Sequence, residues 1–158
     1  MARIIAVVVT FNRLQLLQRV ILSLQKQSVT INKIIVVNNG STDGTKEWLG
    51  GQSELHVIHQ ENVGGSGGFY RGIQEASQMD CDWIWCMDDD VFPSENCLET
   101  LLAFADKDEK IGIACPHRLM SGKTFTGEAK TLNLSNPFKD MHDNALMATD
   151  VESNEVTD

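Results

Sequence analysis

The 158-residue chain has no Cys-x-x-Cys pair and no histidine at zinc-finger spacing from a cysteine, which removes the common structural zinc sites. Its cysteines, Cys81, Cys86, Cys97 and Cys115, lie mostly in or beside apolar runs, as reduced core cysteines of a cytosolic protein do. No apolar stretch approaches the ~20 residues that a membrane-spanning helix needs. The run "IIAVVV" passes at once into polar "TFNR" without a small-residue cleavage site, so a signal peptide is not expected and a cytoplasmic location is. Basic residues are scarce, 13 Lys and Arg against 22 Asp and Glu for a net charge of −9. Nonspecific nucleic-acid binding, which needs clustered Lys and Arg, is therefore not expected. An acidic protein that handles an anionic ligand needs local help from a metal ion, a few placed arginines or backbone N–H groups. The common nucleotide fingerprints are missing too. A G-x-G-x-x-G from Gly65 would need glycine where Tyr70 stands, and a P-loop ending at Gly122-Lys123 would need glycine where His117 stands. There is no internal repeat.

What remains is one domain's worth of chain with 42% hydrophobic residues, enough for a real core. "RIIAVVV" (3–9) and "KIIVVN" (33–38) are β-branched and almost continuously apolar, as strands buried on both faces are. Between them Leu14, Leu16, Leu17, Val20, Ile21 and Leu24 recur at helical spacing, with Asn12 as the expected N-cap. "STDGTKEWL" (41–49) reads as a turn and short helix, with Ser41 and Asp43 as turn and cap residues. "ELHVIH" (54–59), "DWIWCM" (82–87) and "IGIAC" (111–115) read as further strands. "NVGGSGG" (62–68) reads as a glycine-rich loop ahead of a helix from about 69 to 77. A helix is expected over 94–106 and a hairpin around Ser121-Gly122 within 118–127. Strands alternating with helices predict an α/β fold with a mostly parallel, doubly wound sheet and helices on both faces. Such sheets bind ligands at the carboxyl ends of their strands. Four polar clusters fall there: "TFNR" after the first strand, "NNGSTDG" after the second, the glycine loop after the third, and Asp88, Asp89 and Asp90 after the fourth.

Each cluster has a plain and a functional reading. Phe11 either stacks on a base or fills the core, and Asn39 either hydrogen-bonds a base edge or shapes a turn. The glycines let backbone approach a ligand, with Arg71 near a helix start and in reach of a phosphate or a base edge. Three adjacent carboxylates exceed what a helix cap requires. A divalent ion with oxygen ligands would relieve their repulsion.

"VVVTFNR", "VVNNGSTDGT", "NVGGSGGFYRG" and "WCMDDDVFP", in this order and spacing, resemble the amino-terminal half of family 2 glycosyltransferases, in particular their rhamnosyl- and galactofuranosyltransferase-like branch, over roughly residues 3 to 120. The resemblance implies a GT-A (Rossmann-like) fold and inverting transfer of a sugar from a UDP or dTDP donor to a glycan or lipid-linked acceptor in polysaccharide synthesis. It implies donor binding by Thr10, Phe11, Asn12, Arg13, Asn39, Asn62, Gly64, Gly65, Arg71, Asp88 and Asp89. It also implies a Mg²⁺ or Mn²⁺ ion on Asp88 and Asp90. Asn39 departs from the family's usual aspartate.

The family's catalytic base lies well downstream of the aspartate run, and none is assigned to Asp140, Asp143 or Asp150. It is expected beyond Asp158, with residues 1–130 as the nucleotide-sugar domain, 131–158 as the start of an acceptor half or an acidic tail, and the sequence as a piece of a longer protein, inactive alone. Other expected associations are with a membrane face through missing parts and with a second copy across a bare sheet edge. A non-catalytic nucleotide-sugar-binding module is the alternative. A sugar-phosphate nucleotidyltransferase would want a glycine- and arginine-rich loop and a lysine where "TFNRLQ" stands.

Overall fold

The computed structural model describes residues 2–116 together with the short strands at 119–120 and 123–124. The chain divides into two compact units, 1–96 and 97–158. The boundary expected near 130, the tail aspartates and the Ser121-Gly122 turn lie outside the described residues.

The first unit is a parallel sheet of β1 (Ile4–Thr10), β2 (Lys33–Asn38), β3 (His56–His59) and β4 (Trp83–Asp88) in the order β3-β2-β1-β4. Its connections are α1 (Leu14–Gln25), α2 (Thr45–Gly50) and α3 (Gly64–Ser77). β1 is central and wholly buried, which is why its sequence carries no polar alternation. Its side chains divide by parity. Ala6 and Val8 join Leu17, Val20, Ile21 and Leu24 of α1 and Leu49 of α2 in one core, while Ile5, Val7 and Val9 join Ile35, Val37 and Ala76 in the other. The α1 residues follow i, i+3, i+4, i+7 and so form one stripe. Burying each is worth roughly 1.5–3 kcal/mol before entropy is counted.

In the second unit α4 (Cys97–Ala105) buries Leu98, Leu101 and Ala105. β5 (Leu119–Met120) and β6 (Lys123–Thr124) pair antiparallel, in agreement with the expected hairpin. The strand expected at 111–115 does not form. Residues 111–114 carry no regular structure, Cys115 makes an isolated bridge and Ile113 is exposed. The side chain of Ile113 is left exposed rather than packed, and β-propensity needs such packing to make a strand.

The glycine-rich stretch, expected as a loop ahead of a helix, is instead the opening of α3 itself. Gly64 enters with φ +78, a conformation that side chains disfavour. Gly68 and Gly72, one turn apart, face the sheet. A Cβ on Gly68 would lie 2.5 Å from Cγ1 of Val9, and one on Gly72 would lie 2.4 Å from Cγ1 of Val7 and 3.1 Å from Cγ2 of Val37. These glycines bring α3 down onto β1 and β2. Gly65 faces open space.

Candidate functional site

The carboxyl ends of the four strands bring together residues 10–13, 38–43, 60–64 and 88–90. The ladder runs on past the strands: Asn39 N–H donates to Thr10 O at 2.9 Å and Gln60 N–H to Asn38 O at 3.1 Å. Asn38 also bonds the His59 ring at 3.2 Å and accepts from Ser41 N–H at 3.0 Å. The rim is therefore built by hydrogen bonds between loops.

Asn12 holds two loops together rather than capping its own helix. It sits at φ 53, which asparagine tolerates better than most residues. Its N–H donates to Ser41 Oγ and its Oδ1 accepts from Thr42 N–H at 2.7 Å. The exposed first turn of α1 is satisfied from across the rim, where Asp43 accepts from Leu14 N–H at 3.0 Å and from Thr45 Oγ1 at 2.6 Å. These bonds hold the Asp43 carboxyl below the usual range, the Thr45 hydroxyl contributing most. Asp43 is thus a cap, as expected, but for two helices.

Asn39 is only 2% exposed and its amide is fully engaged. Its Nδ2 donates to Asn62 Oδ1 and Gly64 O, both at 3.1 Å, and its Oδ1 accepts from Gln60 Nε2 at 2.8 Å and Val63 N–H at 3.3 Å. Asn62 Oδ1 also accepts from Gly64 N–H at 2.9 Å. In this geometry Asn39 clips the 60–64 loop to the end of β2 and has no donor left for a base edge. Gln60 is the partner that sequence reasoning missed. Its only signal was its place directly after a strand and opposite Asn39.

The aspartate run is split by direction. Asp88 ends β4 and is exposed, as is Asp90, while Asp89 turns inward and is 4% exposed. Thr10 Oγ1 donates to Asp89 Oδ2 at 2.7 Å in a buried bond. Arg13 Nη1 lies 3.2 Å from Asp89 Oδ1 and 2.9 Å from Asp90 Oδ2. Asp89 first, then Asp90, raises the Arg13 pKa above its ordinary value. Among the described residues no three His, Cys, Asp or Glu side chains form a metal cage. Magnesium-type ions, however, commonly take one or two carboxylates and complete their shell with water and substrate phosphates. Asp88 and Asp90 are the exposed carboxylates of the run and would be the oxygen donors for such an ion.

Phe11 projects at the rim, 43% exposed, so it is not a core residue. Arg71 is not where the sequence suggested. With α3 starting at Gly64, it lies seven residues along, about 10 Å from the helix start. It pairs with Glu75 at 3.1 Å, and Glu75 bonds His56 at 3.1 Å. The structure thus brings together Thr10, Phe11, Asn12, Arg13, Asn39, Asn62, Gly64, Asp88, Asp89 and Asp90, leaves Gly65 on an open helix face, and holds Arg71 apart.

A family model described as glycosyl transferase family 2 matches residues 5–152. Galactofuranosyltransferase GlfT1 of Mycolicibacterium smegmatis is 36% identical over 103 residues, covering 63% of this chain and 34% of that protein. GlfT1 of Mycobacterium tuberculosis is 36% identical over 109 residues, covering 66% and 36%. The chain spans about a third of the length of these curated relatives. Among solved structures, S. aureus TarS in complex with UDP-GlcNAc aligns with a TM-score of 0.64 at 19% identity, over 79% of this chain and 37% of that one. Mannosyltransferase PcManGT from Pyrobaculum calidifontis, in complex with GDP-Man and Mn²⁺, aligns with a TM-score of 0.55 at 19% identity, over 72% and 34%. These likenesses identify the fold as GT-A.

Proposed function

Because the chain belongs to glycosyl transferase family 2, we propose that the carboxyl edge of its sheet binds the nucleoside-diphosphate part of a sugar donor, UDP or dTDP, with Mg²⁺ or Mn²⁺. The sugar then passes, with inversion, to a glycan or lipid-linked acceptor. The observation that carries this reading is the convergence of four loops on one rim, with Asp88 and Asp90 outward. The relatives named galactofuranosyltransferase support transfer of a sugar, TarS in complex with UDP-GlcNAc supports a nucleoside-diphosphate sugar donor, and PcManGT, seen with GDP-Man and Mn²⁺, supports the metal.

Asp88 and Asp90 would hold the ion, which when bound neutralises charge on the departing diphosphate. The protein's own residues do the rest. Phe11 offers an aromatic face at the rim for a base. Arg13 supplies a planar cation suited to phosphate oxygens. Asn39, Asn62 and Gln60 fix the loop that borders the donor. Asp89, bonded to Thr10, anchors the middle of the aspartate run.

The test is a thermal-shift panel of UDP, dTDP, GDP and ADP with and without Mn²⁺. A ligand at a hundred times its Kd adds about 2.7 kcal/mol to stability, so a pyrimidine diphosphate should raise Tm by several degrees, and more with the metal. No shift from either pyrimidine diphosphate at millimolar concentration refutes the reading.

A further inference from the structure

We propose that Arg13 is an internal counter-cation for the aspartate run, exchanged on donor binding, so that Asp90 takes a divalent ion well only when a diphosphate is present to receive Arg13. The inference rests on the proposed function above and adds the coupling between the two ligands.

The three carboxylates are unequally committed. Asp89 is buried and accepts from both Thr10 and Arg13. Asp90 is half-exposed, and among the described residues its bonded side-chain partner is Arg13. One guanidinium nitrogen serves both aspartates. It occupies the electrostatic role that a divalent ion would take at Asp90.

The root of Arg13 is fixed by the helix, while its half-exposed head is held, among the described residues, by the ion pairs to Asp89 and Asp90 alone. Its backbone caps α1, with its carbonyl accepting from Leu17 N–H at 2.9 Å, and its side chain is half-exposed. The guanidinium can therefore leave Asp90 without disturbing the helix. Two cations compete for the outer carboxylate, and a diphosphate resolves the competition because it offers Arg13 a planar, charge-assisted alternative. A metal ion arriving alone must displace Arg13 into water.

The experiment titrates Mn²⁺ by electron paramagnetic resonance against the chain, with and without UDP, for wild type, Arg13→Gln, Arg13→Lys and Arg19→Gln. Arg19 carries the same charge on the same helix but stacks on Phe92 at 4.1 Å, so it controls for a general loss of positive charge. Wild type should bind Mn²⁺ weakly alone and markedly better with UDP. Arg13→Gln should bind Mn²⁺ alone about two- to fivefold more tightly, the range expected from a half-exposed ion pair. It should also lose the share of the UDP enhancement that comes from moving Arg13 off Asp90, leaving only the share that phosphate oxygens on the ion supply, while the affinity for UDP itself falls about tenfold. Arg13→Lys should restore much of the coupling, and Arg19→Gln should resemble wild type.

UDP-dependent Mn²⁺ binding in wild type that Arg13→Gln leaves unchanged overturns this inference alone. So does an Arg19→Gln effect equal to that of Arg13→Gln. Absence of Mn²⁺ binding in every form, with or without UDP, overturns the proposed metal site and this inference with it.

Discussion

Alanine at Gly72 and at Gly65 should shift stability in opposite directions, although both lie in α3. In an exposed helical site the change from glycine to alanine gains up to about 1 kcal/mol, mainly by restricting the unfolded chain. Gly65 meets that condition, since a Cβ there has nothing within 4 Å. At Gly72 the same atom would sit 2.4 Å from Val7 Cγ1 and 3.1 Å from Val37 Cγ2. Both valines are fully buried and belong to adjacent strands, and β-branched side chains have few rotamers to escape into. No single rotation relieves both contacts, so the cost falls in the upper part of the roughly 1–3 kcal/mol typical of overpacking. Net of the helical gain, Gly72→Ala should destabilise by about 1–2 kcal/mol, while Gly65→Ala stabilises by about 0.5–1 kcal/mol. Urea melts of the two variants, read at a common m value, measure the difference. If Gly72→Ala is as stable as wild type, α3 does not rest on glycine contacts, and the stretch 64–72 regains the ligand-facing reading that its sequence invites.

Thr10→Val keeps the shape of the side chain and strands Asp89 Oδ2 in a buried place. The loss should be about 1.5–3 kcal/mol, as for a hydrogen bond to a charged group, with Thr10→Ser near wild type in the same denaturation assay. At the opposite end of the sheet, Arg3 bonds Asp82 at 2.8 Å and also Asp80, and the Arg3 side chain pulls the Asp82 pKa down to about 2. A depressed carboxylate stabilises the fold fully above its unfolded pKa of ~4 and loses that contribution as pH falls towards the folded value. Acid melts should therefore steepen between pH 4 and pH 2, and Arg3→Ala should flatten that segment. An identical pH profile for the variant would show the pair to be inert.

The sheet was legible because its signal is local. β1 and β2 are near-continuous apolar runs that few other structures accommodate, and the Leu17–Leu24 stripe of α1 repeats the face that packing uses. The places where reading failed are those where a residue's meaning depends on a distant partner. Asn12 has the chemistry of a helix cap, but the cap comes from Asp43, across the rim. Arg71 was placed by where its helix was expected to begin. Once Gly68 and Gly72 are seen to fit under the valines of the sheet, the helix starts earlier and carries Arg71 away. Of the three aspartates, sequence pattern marked the location but not their division of labour. The buried Asp89 takes a hydrogen bond from Thr10, 79 positions earlier in the chain.

Asn39 also takes its role from distant partners. By resemblance, its position is one where an aspartate contacts the nucleotide, and on that reading Asn39→Asp is a return to the usual residue and should be harmless to the fold. The geometry requires otherwise. Nδ2 of Asn39 faces two acceptors, Asn62 Oδ1 and Gly64 O, each at 3.1 Å, in a site that is 2% exposed. A carboxylate there would lose both donated bonds and set its charge against two oxygens in a place nearly closed to water. With an unpaired buried polar group costing about 1–3 kcal/mol and a charge more, Asn39→Asp should destabilise by roughly 2–4 kcal/mol. It should also loosen the 60–64 loop, visible as faster amide hydrogen exchange at Asn62, Val63 and Gly64. The Gln60 and Val63 N–H bonds to Oδ1 can survive the change, which keeps the effect short of unfolding. A variant with wild-type stability and unchanged exchange, yet tighter nucleotide binding, would return Asn39 to the base and remove it from the loop.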